Sequence, residues 1–95
     1  MSDKPIQIAM GDNPEEVGHC FAITFLIEQK GRKLKGRVLR RQEFQTGIDA
    51  KTTCQALELE LSKQYQGQVG TFYVDEPLPD YEIETRLREI ARSLE

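Results

Sequence analysis

Apolar and polar positions alternate most regularly between His19 and Gln29. Phe21, Ile23, Phe25 and Ile27 recur at every second position, and β-branched and aromatic types dominate, which predicts a strand. The reverse face of that strand, Cys20, Ala22, Thr24, Leu26 and Glu28, is mixed. Leu34 to Phe44 reads as its hairpin partner, joined by a tight turn centred on Lys30-Gly31. That turn would set Ile27 opposite Leu34, Phe25 opposite Gly36 and Ile23 opposite Val38, all on the apolar face. Phe25 would then cover the bare backbone of Gly36. On the reverse face Glu28 would meet Lys33, Leu26 would meet Lys35, Thr24 Arg37, Ala22 Leu39 and Cys20 Arg41. The turn is the weak point, because a two-residue type I′ loop favours Asn or Asp before Gly and Lys30 at positive φ is disfavoured. A slip of one residue would break the matching of faces.

The remaining elements follow from the same patterning. Pro5 to Met10 alternates Ile6 and Ile8 with polar neighbours, a short strand, and Asp12, Asn13 and Pro14 favour a turn after it. Asp49 is a good N-cap for a helix to about Gln66, with Ala50, Cys54, Leu57, Leu61 and Tyr65 at helical spacing and Gly67 placed to end it. Val69 to Asp75 reads as a strand with Phe72 and Val74 on one side and Thr71 and Tyr73 on the other. Glu76-Pro77-Leu78-Pro79 is stiff and extended. Asp80 would cap a last helix, Tyr81 to Leu94, whose stripe is Ile83, Leu87, Ile90, Ala91 and Leu94. Glu82 with Arg86 and Glu84 with Arg88 are acid-before-base pairs at i,i+4, each worth ~0.2–0.5 kcal/mol. The order β-β-β-α-β-α implies an α+β fold, with a mainly antiparallel sheet of three or four strands and both helices packed on one face. The other face would then be open to solvent.

Composition sharpens where a functional surface would lie. Of 13 basic residues, seven fall between Lys30 and Arg41, a stretch without any acid: Lys30, Arg32, Lys33, Lys35, Arg37, Arg40 and Arg41. The chain carries a formal charge of −3, so the rest sums to −10 (6 basic against 16 acidic residues). A basic patch on an acidic chain marks a place where something negative docks. Lys33, Lys35, Arg37 and Arg41 would share the open face, with Arg40 near an edge and Lys30 and Arg32 at the tip.

Ninety-five residues fit a single domain spanning 1–95. Nothing approaches the ~20 apolar residues that span a bilayer. MSDKPIQIAM lacks the charged and apolar regions of a secretory leader. Cys20 and Cys54 make no disulfide framework and read as two small thiols in a reducing cytoplasm.

No catalytic, metal or cofactor signature stands out. His19 and Cys20 are adjacent in a strand, so they point to opposite faces and form no nucleophile–base dyad. His19 is the single histidine, and no metal-ligand spacing includes it. Gly67-Gln68-Val69-Gly70 matches a GxxG string, but it lies between a helix and a strand rather than between the two helices that a nucleic-acid clamp requires. Gly70 would be a strand irregularity. Glu58/Glu60 and Glu82/Glu84 are two apart on helices and share no face.

The function expected is that of a non-catalytic intracellular protein, with no cofactor, presenting the basic hairpin to an acidic protein partner. The alternative is a nucleic-acid-binding protein using the same residues on phosphates. A ribbon fits the major groove, but the exposed basic face has no interleaved aromatic, and a pI near 5.2 is far from the basic profile of such binders. Cations that keep an edge strand soluble need no partner at all. No membrane association is expected, and a homodimer through an uncovered strand edge or the last helix suits a domain of this size.

Overall fold

The structure, a computed structural model, describes residues 13–95. The strand expected at Pro5 to Met10 lies outside them. After a short 3-10 turn at Pro14–Glu16, the chain forms β1 (Cys20–Lys30), β2 (Lys33–Phe44), α1 (Gly47–Gln64), β3 (Gln68–Val74) and α2 (Asp80–Leu94). The three strands form one antiparallel sheet in the order β2-β1-β3, so the most apolar strand is central. The result is a small α+β domain.

The helices do not share a face. Ile23, Phe25 and Ile27 pack with Phe72 and Val74 of β3 and with Ile83, Leu87 and Ala91 of α2. The alternate residues of β1 turn to the other side, where Cys20 packs with Ala50 of α1. Cys20, Ala22, Thr24 and Leu26 are all fully buried. The expectation of a bare second face is therefore corrected. Cys20, Ala22, Thr24 and Leu26 line this side of the sheet, and α1 buries Ala50, Cys54 and Leu61. A central strand covered on both faces reads as a near-continuous buried run.

The hairpin turn also differs from expectation. Its central residues are Gly31-Arg32, with Lys30 opposite Lys33. Gly31 takes φ 65° while Arg32 stays at negative φ, the type II′ pattern with Gly first. No side chain is then forced into the left-handed region. Moving the turn by one residue shifts the pairing by two, which preserves the faces: Ile27 opposes Gly36 and Phe25 opposes Val38. Gly36 still lies on the apolar face, but Ile27 and Leu87 fill the space beside it. Phe25 instead covers Gly70 of β3, where a Cβ would stand 2.8 Å from the ring. Gly70 is thus a regular ladder partner. The irregularity is a bulge in β2, where Leu39 is the extra residue between Val38 (opposite Phe25) and Arg40 (opposite Thr24).

The helix ends are set by neighbours of the expected residues. Thr46 is the N-cap of α1, its hydroxyl accepting from the Asp49 N–H at 3.2 Å, so Asp49 sits within the first turn. Pro79 precedes α2 as its N-cap, and Asp80 is the first helical residue. α1 stops at Gln64 because Tyr65 turns extended. Gly67 does a different job from a helix stop. It takes φ 138° where β3 begins, and a Cβ there would lie 2.5 Å from the Ile27 carbonyl oxygen.

Gly67→Ala should therefore cost about 1–3 kcal/mol, since both the backbone conformation and the space forbid a side chain. Gly18→Ala, which meets nothing within 4 Å, should change stability little. Urea unfolding of the two variants checks the contrast.

Candidate functional site

All seven basic hairpin residues are exposed, but they do not form one surface. Register assigns Lys30, Lys33, Lys35, Arg37 and Arg40 to the face of the sheet that carries α1, since their partners include Glu28, Leu26 and Thr24. Arg41 pairs with Ile23 and so faces α2, where its Nη2 donates to Asp80 Oδ1 at 2.6 Å. The bulge at Leu39 makes the exchange. One extra residue turns Arg40 onto the face expected for Arg41, and Arg41 away from it.

Why these cations stay exposed beside a helix follows from where that helix lies. α1 packs mainly across β1 and β3, and α2 mainly across β2. The two helices are offset on opposite sides, and the outer strand β2 keeps its α1-side face largely clear. Tyr65, just past the end of α1, reaches it. There the Arg37 guanidinium lies 5.2 Å from the centroid of the Tyr65 ring.

Internal partners divide the cations further. Glu28 accepts from Arg37 Nε at 3.2 Å and lies 3.6 Å from Lys30 Nζ. Glu28 faces Lys35 across the strands rather than Lys33. Arg32, Lys33, Lys35 and Arg40 form no ion pair among the described residues, and Arg40 donates only to the Leu39 carbonyl at 3.4 Å. Neither Lys35 nor Arg37 is paired with Glu82 or Glu84. Leu26, one apolar residue that would centre a protein interface on this face, is buried under α1, while Leu39 remains half-exposed at the bulge.

Sequence reasoning missed the contribution of α2. Leu87, Arg88, Ala91 and Arg92 line a groove of about 670 Å³ with Lys33, Leu34, Lys35 and Gly36 of β2. The chain signals it only weakly, as two arginines four apart beside the apolar stripe of the last helix. Packing α2 over β2 is what brings them to the hairpin.

The other titratable residues have structural settings. His19 packs edge-on against Phe21, with ring centroids 4.9 Å apart, and donates to Glu43, while Cys20 is buried on the opposite side. Among the described residues no three His, Cys, Asp or Glu side chains gather as a metal site. No helix among them is long and apolar enough to cross a membrane. Under α1, Thr24 and Thr71 hydroxyls meet at 3.1 Å. Burial pushes the Cys54 thiol above its ordinary value, against the pull of hydrogen bonds with Tyr73 and Thr24. Burial raises the Cys20 thiol as well. Burial first, then the neighbouring Cys54 thiol, raise the Tyr73 phenol. Thiols held in the neutral form are poor nucleophiles.

These shifts fix a sign. The unfolded chain releases thiol protons from about pH 8.5, whereas the folded protein retains them, so this stabilisation is complete at lower pH and is lost as pH rises. The urea midpoint should fall above about pH 8.5, and Cys54→Ala should flatten that fall. A midpoint that holds level through pH ~10 would contradict it.

Comparison of the chain with known protein families, with curated protein sequences and with solved structures finds no match.

Proposed function

We propose that this is a non-catalytic intracellular binding protein whose basic hairpin docks an acidic protein partner. The observation that carries the reading is the group Arg32, Lys33, Lys35 and Arg40, exposed along one strand and its turn and without an ion pair among the described residues. The same chain neutralises neighbouring cations: Glu28 serves Lys30 and Arg37, and Asp80 serves Arg41. An acidic partner would complete the pattern that these pairs begin. The half-exposed Leu39 and the Arg37–Tyr65 stack lie beside the charges and supply apolar contact, which a protein interface uses at its centre.

A basic strand held rigid by a core on its inner side presents its charges at fixed spacing. That favours fast, steered encounter more than high affinity. Nucleic acid could use the same four cations, and it is the competing outcome of the test.

The test uses fluorescence anisotropy at low and physiological salt with two labelled probes, a glutamate-rich peptide and a single- or double-stranded oligonucleotide of similar charge. The peptide should bind, and the variant Lys33→Glu, Lys35→Glu, Arg40→Glu should weaken it by more than about tenfold. Arg41→Glu, on the other face, should leave binding nearly unchanged. Tighter binding of the oligonucleotide, with a steep salt dependence, would transfer the site to nucleic acid. Absence of binding by either probe at low salt would sink both readings.

A further inference from the structure

β2 is an edge strand of 12 residues with no proline, and no described strand pairs with its outer side. Register shows which amides face outward. Leu34 N–H donates to Glu95 Oε1 at 3.1 Å rather than to β1, and by antiparallel alternation the Gly36 and Val38 amides point the same way. A row of outward amides is a template for a further strand.

Beside this edge runs the groove between β2 and α2. Its apolar floor is Leu34, Gly36, Leu87 and Ala91. The glycine sets its depth. A Cβ at Gly36 would lie 2.8 Å from Ile27 Cδ1 and 3.0 Å from Leu87 Cβ, so the helix sits tight against the strand at this point. Arg88 and Arg92 line it from the helix against Glu84 and Glu95, and Lys33 and Lys35 line it at the strand edge, their side chains on the α1 side by register, where the acidic side chains of an added strand would lie. Glu84 lies 3.9 Å from Arg88.

We propose that the open edge of β2 accepts an extended, alternating acidic and apolar segment of a partner protein as an added strand, with its apolar side chains in the groove against α2. This rests on the reading of the basic hairpin as a surface for an acidic partner, and specifies how that partner binds. Two observations choose the occupant. The Glu95 carboxylate already takes an edge amide, so an acidic side chain meets this edge without conflict. A second copy would align Lys33, Lys35 and Arg37 with the same cations, and like charges across an edge oppose such pairing. Main-chain hydrogen bonds would supply the affinity, and alternate side chains the specificity. The incoming segment displaces Glu95, which makes that residue a competitor for its own edge.

The experiment titrates the full chain with the peptide Glu-Val-Glu-Leu-Glu-Val-Glu and with the same peptide N-methylated at alternate amides. Amide exchange of the protein is followed by NMR. The unmodified peptide should bind and slow exchange at Gly36 and Val38. N-methylation keeps charge and apolar groups but removes main-chain hydrogen bonds, and should weaken binding at least about tenfold. Glu95→Ala should tighten binding about two- to tenfold. Equal binding of both peptides without edge protection would overturn strand addition while leaving the acidic-partner reading intact. No binding of either peptide, nor of the glutamate-rich probe, would overturn both. Protection that grows with protein concentration in the absence of peptide would replace the partner with a second copy of this chain.

Discussion

The burial of β1 on both faces is the constraint on which the rest of the structure depends. Phe21, Ile23, Phe25 and Ile27 point to one side, while Cys20, Ala22, Thr24 and Leu26 point to the other. Bulk on one side needs a helix with large apolar residues, and α2 answers with Ile83 and Leu87. On the other side α1 contributes Ala50, Cys54 and Leu61. Small polar groups on the α1 side are tolerated because they satisfy one another, as Thr24 and Thr71 do.

From that sandwich follows the character of β2. A three-stranded sheet is too narrow to hide both edges under two helices displaced in opposite directions. β2 is covered by α2 on its apolar side and left open on its charged side. Its long cations could not be buried under a helix without leaving charge unpaired at high cost. Their chemistry and the lateral position of α1 are thus two expressions of one packing solution. The groove beside the strand has the same origin, because a helix laid near a sheet edge leaves a channel beyond the last strand.

Local backbone devices then decide which side chain goes where. The Gly31-Arg32 turn fixes the register without strain, and the bulge at Leu39 reverses the faces beyond it. Arg40 and Arg41 are neighbours of identical type, yet one remains without an ion pair among the described residues and the other is bound to Asp80. Three glycines act by lacking a side chain in three ways: Gly67 where β3 passes the Ile27 carbonyl, Gly70 beneath the Phe25 ring, and Gly36 where Leu87 closes on the strand.

Much of the architecture was legible in the amino-acid order itself. Period-two alternation located β1 and β3, the apolar stripes located both helices, and the density of Lys and Arg located the exposed strand. Those features are local, since each depends on residues a few positions apart. From the turn to Val38 the hairpin faces match the period-two pattern, because a two-residue shift preserves parity; beyond Leu39 the bulge reverses them. What the sequence alone could not decide was relative placement: which face each helix takes, where the bulge falls, which cations find internal acids, and that Arg88 and Arg92 come to line a groove with Lys33 and Lys35. Each of these is settled by contacts between residues far apart in the chain. An α2-facing arginine and a solvent-facing one carry the same local signal; only the packed structure, by inserting one residue into a strand, tells them apart.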